Sequence, residues 1–178
     1  MVYVRPKGYV EPRAVVERIG DRDLFVGNFR AATAGRDSAA AEPHRDSAAE
    51  PHRPDRTFDA VLSVGSESYH ATTHHHPLVD GPETDWREFA AAVETARDLH
   101  RADGSLLIHC KAGISRSVAV LATTLAVEEG RSFHDALSLV QEARPHAIPH
   151  PALHLLGVIY VAARVAGGEN SESEERPE

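Results

Sequence analysis

Short apolar runs alternate along this chain with longer stretches in which apolar residues recur every three or four positions. Runs of three to seven apolar residues bounded by turn formers predict buried strands; the longer periodic stretches predict helices. Leu24-Phe25-Val26 follows a turn at Gly20-Asp21-Arg22 and ends at Gly27-Asn28. Phe58 to Val64 is bounded by Thr57 and Gly65-Ser66, and Leu106-Leu107-Ile108 lies in a strand over 105–109. The Thr- and Tyr-rich segment from Ser68 to His76 predicts a further strand, and 13–19 fits a short helix or strand. Trp86, Phe89, Val93, Ala96 and His100 share one stripe, which predicts a helix over 86–101 closed by Ala102-Asp103-Gly104. The residues from Val118 onward are apolar nearly all round, which predicts a buried central helix stopping near Gly130. Ser132 with Asp135 three residues on predicts a capped helix through Leu137, Val140 and Ala143, stopped by Arg144-Pro145. Pro151 can start a last helix running to about Val165, before Gly167-Gly168.

The pattern breaks over 36–56. Arg36-Asp37-Ser38-Ala39-Ala40-Ala41-Glu42-Pro43-His44 is followed by a near copy ending at Glu50-Pro51-His52. Two copies of so polar a unit cannot stack into a solenoid, and the prolines break helices. This tandem repeat is expected to be a surface insert between the first two strands. A metal site from His44 and His52 is the lesser reading of this segment. His74-His75-His76 raises the same question. Neighbours on a strand point to opposite faces, so at most His74 and His76 share one, and surface histidines are the better reading. Residues 1–19 read as a lead-in. The stretch 167–178 is acidic, poor in apolar residues and expected to be disordered.

Composition changes the picture only at the margins. A chain of 178 residues suits one domain. A net charge of −8 with no basic stripe argues against nucleic acid as a partner. No apolar run reaches the length of a membrane span, and the first residues do not resemble a signal peptide, so no membrane association is expected. The single cysteine cannot form an internal disulfide, which fits a reducing cytoplasm, and has no resolving thiol in its own chain.

That cysteine carries the chemistry. Cys110 sits where a strand ends, followed by a loop, Lys111-Ala112-Gly113-Ile114-Ser115, and by Arg116-Ser117 at a helix start. Loop amides and the helix N-terminus favour an anion, and Arg116 brings a planar fork matched to phosphate oxygens. A cysteine in such surroundings should be held as thiolate and can attack a bound phosphate monoester. Lone cysteines are more often small buried hydrophobes; the accompanying Gly113 and Arg116 favour the reactive reading.

The run His109-Cys110-x-x-Gly113-x-x-Arg116-Ser117 resembles the signature of the cysteine-dependent protein tyrosine phosphatases, most closely the dual-specificity branch. The resemblance covers roughly residues 20–166, with strong local identity at 109–117. It implies a single α/β domain whose central, mostly parallel, mixed sheet of four to five strands is flanked by helices. It implies hydrolysis of phosphotyrosine, and of phosphoserine and phosphothreonine, in phosphorylated proteins through a phosphocysteine, without metal or other cofactor. Cys110 would be the nucleophile and Arg116 the phosphate clamp. Lys111, Ala112, Gly113, Ile114, Ser115 and Arg116 would bind substrate, their amides holding the equatorial oxygens. Pro77-Leu78-Val79-Asp80 resembles the loop that carries the family's general acid, so Asp80 is the expected acid and Asp85 the substitute. Asp85 can instead cap the helix over 86–101, with Glu88 as reciprocal partner. The resemblance gives Ser117 the task of assisting sulfur as leaving group, and gives His109 that of ordering the loop by hydrogen bonding. His109 could equally be a satisfied core histidine. The expected rate profile is bell-shaped, with thiolate needed on one limb and protonated Asp80 on the other. A phosphopeptide-binding module without turnover, or a phosphatase of a lipid headgroup or an RNA 5′ end, are the alternative readings. Oligomeric state is not readable.

Overall fold

The computed structural model describes residues 10–33 and 57–172. The tandem repeat over 36–56, with His44 and His52, lies outside the described residues, as do residues 1–9 and 173–178.

The described residues form, in order, β1 (Val16–Arg18), β2 (Leu24–Gly27), α1 (Phe29–Thr33), β3 (Ala60–Ser63), β4 (His74–His75), α2 (Trp86–Arg101), β5 (Leu106–His109), α3 (Arg116–Glu128), α4 (Phe133–Ala143) and α5 (Pro151–Glu172). The five strands form one sheet in the order β1-β2-β5-β3-β4. β5 lies at the centre and pairs parallel with β2 and β3; β3 pairs parallel with β4, and β1 runs antiparallel to β2. The sheet is therefore mixed and mostly parallel, as the resemblance implies.

Strand alternation divides the core in two. Leu24, Val26, Leu62, Val64, Leu106 and Ile108 face α2, α3, α4 and α5. Phe25, Val61 and Leu107 face the other way, where Ala31 and Ala32 of α1 cover them with Phe58 and Tyr69 beside them. α3 is buried on every side from Arg116 to Ala126, packed against α2, α4 and α5. Its hydroxyls stay satisfied in that apolar setting because Thr123 and Thr124 donate to the carbonyls of Ala119 and Val120. Gly157 lets α5 approach: a Cβ there would lie 2.8 Å from Thr123 Oγ1 and against the Phe133 ring.

Several expectations are corrected. The strand over 68–76 shrinks to the two residues of β4, because the 69–73 region closes on itself through Tyr69 N to Thr72 Oγ1 and Thr72 N to the Tyr69 carbonyl. α1 goes unpredicted; it is one short turn with no periodicity to read. α5 continues across Gly167 and Gly168 to Glu172, so the boundary at 167 is not a helix end. Glycine costs a helix only about 1 kcal/mol and does not oblige it to stop. The lead-in ending at residue 19 is also part of the domain. β1 extends the sheet, Val15 and Ile19 are buried, and the buried Asn28 side chain pins the segment by accepting from Val15 N and donating to the Arg13 carbonyl. Among the described residues no helix is long and apolar enough to cross a membrane.

Candidate active site

β5 alternates faces so that His109 joins the α1 side and Cys110 the helical side. The chain then leaves the sheet and enters α3 at Arg116. What shapes the intervening loop is the fate of its carbonyls. Lys111 O accepts from Phe29 N, Ala112 O and Gly113 O accept from the Arg144 guanidinium, Ile114 O accepts from Ile148 N, and Ser115 O accepts from Ala119 N. Five consecutive carbonyls are held by groups outside the loop, which leaves its amides to the concave side. Gly113 takes the left-handed turn this requires, with φ 67°, and a Cβ there would lie 2.6 Å from the Gly27 carbonyl.

Cys110 is buried at the floor. Burial pushes its thiol pKa up. The opposing pull is larger: the Arg116 charge, the Ser117 hydroxyl donating at 3.3 Å, and the Ser117 and Gly113 amides bring it below the ordinary cysteine value. Arg116 donates through Nη1 to the Leu78 carbonyl at 3.1 Å and weakly to Ser66 Oγ at 3.4 Å. Its Nε is buried with no hydrogen-bond partner among the described residues, a donor suited to an oxyanion oxygen. Lys111 is exposed, and Ala112 and Ile114 are half-buried at the rim.

The two candidate acids separate cleanly. Asp85 is the N-cap of α2 and accepts from Arg87 N at 2.8 Å and Glu88 N at 3.3 Å. Asp80 reaches the loop instead, its Oδ1 accepting from Ser115 Oγ at 2.5 Å. The intervening turn is closed by Thr84 Oγ1 donating to the Gly81 and Val79 carbonyls.

The resemblance gives His109 a loop-ordering hydrogen bond; the Cys110 backbone acts on its imidazole, without a hydrogen bond of full geometry. Both ring nitrogens are buried without a partner among the described residues, and the ring packs 5.7 Å from that of Tyr69. Burial lowers its pKa to about 4, with hydrogen bonding to the Cys110 backbone pulling it up and the nearby His75 pushing it down. The imidazole is therefore neutral at pH 7. The histidine triplet is spread over separate partners: His74 with Thr73 Oγ1, His75 with the Gly65 carbonyl, His76 with Thr95 Oγ1. Among the described residues no three His, Cys, Asp or Glu side chains gather around a metal-sized space.

Sequence reasoning missed Arg144, read only as a helix stop. It is 4% exposed, carries two loop carbonyls and pairs with Glu11 at 2.9 Å. The Arg144-Pro145 pair marks the position, resembling one that often follows this helix in dual-specificity enzymes, but not the role, since its partners lie about thirty residues upstream and in the lead-in.

The sequence model of the dual specificity phosphatase catalytic domain matches residues 46–160. Mouse dual specificity protein phosphatase 19 is 35% identical over 100 residues, covering 55% of this chain and 46% of that protein. Human dual specificity phosphatase 28 is 39% identical over 132 residues, 72% of this chain and 68% of its own length. A mouse protein of this fold, complexed with zinc tungstate, aligns with a TM-score of 0.68 at 25% identity over 91% of this chain and 96% of that one. The chain spans less than half the length of the first of these curated relatives. With a matched model over well beyond half its length, and a cysteine, arginine and loop in the arrangement described, the chain belongs to the dual specificity phosphatase family.

Proposed function

We propose that the protein hydrolyses phosphate monoesters of phosphorylated proteins, phosphotyrosine and also phosphoserine and phosphothreonine, by way of a phosphocysteine. The observation that carries this reading is the acidified thiol of Cys110, set at the floor of a loop whose amides face inward and beside the unpartnered Nε of Arg116. The mouse relative is complexed with zinc tungstate, and tungstate is a tetrahedral oxyanion like phosphate, which supports anion binding by this fold.

The loop amides and Arg116 hold the equatorial oxygens and stabilise their charge as Cys110 attacks phosphorus. Asp80 gives a proton to the departing alkoxide or phenoxide. In the second displacement water attacks the phosphocysteine, Asp80 accepts its proton, and Ser117 donates to the sulfur as the S–P bond breaks. Position supports these roles: Ser117 donates to Sγ, and Asp80 accepts from the loop while Asp85 caps α2. Lys111, Ala112, Gly113, Ile114 and Ser115 supply the cradle. His109 takes no step. The chemistry calls for no metal, and a thiolate nucleophile suits the reducing cytoplasm.

Rapid acid quenching of the enzyme with a labelled phosphoester should trap phosphate on Cys110, and Cys110→Ser should abolish turnover while retaining phosphate binding. Turnover that persists in Cys110→Ser overturns the reading. So does a wild-type protein that binds phosphate but never releases alcohol; that result identifies a binding module.

A further inference from the structure

Ser115 occupies the N-cap of α3, yet its side chain makes no cap hydrogen bond. A serine in that position ordinarily accepts from an amide of the first turn. Here the hydroxyl, 2% exposed, is committed elsewhere. It accepts from His150 N at 2.8 Å, and it donates to Asp80 Oδ1 at 2.5 Å. Because the His150 amide brings its own hydrogen, the single hydroxyl hydrogen is left to point at Asp80. The same region is fixed a second time by Ile148 N donating to the Ile114 carbonyl at 2.8 Å. Ser115 thus joins three segments distant in sequence: the turn at 77–85, the loop after Cys110 and the connection into α5.

We propose that Ser115 is a positioning residue for the general acid, beyond the amide that it lends to the cradle. By holding Oδ1 it fixes the orientation of the Asp80 carboxyl that gives up the proton. As the S–P bond forms and the P–O bond breaks, the carboxyl proton passes to the leaving oxygen and Asp80 is left as carboxylate, its Oδ1 still held. The absent cap serves the same end, since the first-turn amides of α3 stay available to sulfur and oxyanion. This inference rests on the phosphatase reading above.

The test is a leaving-group series of aryl phosphates with the full chain, comparing wild type, Ser115→Ala, Ser115→Thr, Asp80→Asn and the Ser115→Ala/Asp80→Asn double variant. Ser115→Ala should lower kcat for phenyl phosphate by roughly tenfold, part of the 10²–10⁴ that a placed acid supplies. It should slow 4-nitrophenyl phosphate much less, while KM and inhibition by inorganic phosphate stay within about twofold of wild type. Ser115→Thr, which keeps the hydroxyl, should restore the phenyl phosphate rate. In the Asp80→Asn background the alanine should add almost nothing. Ser115→Gly, which also removes the hydroxyl, replaces the alanine if that variant does not fold. Equal slowing along the whole series, weakened phosphate inhibition in step with kcat, or full additivity with Asp80→Asn overturns the proposal while leaving the phosphatase reading standing. Wild type inactive on every ester removes both.

Discussion

At Gly113 the backbone is left-handed and the Gly27 carbonyl presses close, so even one methyl group has nowhere to go. Gly113→Ala should cost about 2–4 kcal/mol of stability, the left-handed penalty plus displacement of β2, read as a lowered urea midpoint. Inhibition by phosphate should weaken with it. His109 makes a different prediction. Its folded pKa of about 4 lies below the ordinary 6.5, so between these values the unfolded chain binds a proton that the folded chain does not. Stability is therefore full above pH 6.5 and falls as pH drops through that window, by about 3 kcal/mol near pH 4. Proton NMR should find this imidazole neutral at pH 5.5, and His109→Leu should flatten the decline. The motif residues at this scale, Cys110, Gly113 and Arg116, were legible because strand, loop and helix setting agreed with their spacing. The hydroxyl of Ser115 was not. Its partners are set by tertiary packing, and locally it looks like an ordinary cap.

Helices with a stripe and a cap could be read almost to the residue. α2 starts on Asp85, and α4 starts on Ser132, whose hydroxyl accepts from Asp135 N at 3.1 Å. β4 and α1 could not, since two residues and five residues carry too little periodicity to compete with turn chemistry. The join between α4 and the catalytic loop is the element-scale feature with most consequence. Removing Arg144 strips the Gly113 and Ala112 carbonyls of its guanidinium donors and leaves Glu11 with only the longer pairing to Arg13. Arg144→Met should lower kcat/KM for aryl phosphates by at least tenfold, at about 1–3 kcal/mol per orphaned carbonyl. Slower alkylation of Cys110 by iodoacetamide at pH 6–7 should accompany it as the loop amides lose their aim. The contact between α3 and α5 is equally unforgiving. Gly157→Ala drives a methyl group into Thr123 and the Phe133 ring and should cost about 1–3 kcal/mol, seen as a lower melting temperature with Cys110 reactivity retained.

Across the molecule, strand order decides where chemistry happens. β2, β5 and β3 run parallel and deliver Gly27, His109 and Ser63 to one edge, so the segments after them meet around Cys110. That architecture was implied by a nine-residue signature. The contribution of the lead-in was hidden, because its ties, Asn28 to Val15 and Arg13 and Glu11 to Arg144, are long-range and polar. β1 occupies the outer side of β2, pairing Val16 with Gly27 and Arg18 with Phe25. A chain shortened to begin at residue 20 would present the bare backbone of Leu24–Gly27 to solvent, in a strand buried on both faces. Unprotected sheet margins of that kind recruit one another. Such a truncation should purify as self-associated material on size exclusion, so what looks like a dispensable preface acts as the bumper that keeps separate copies from zipping together.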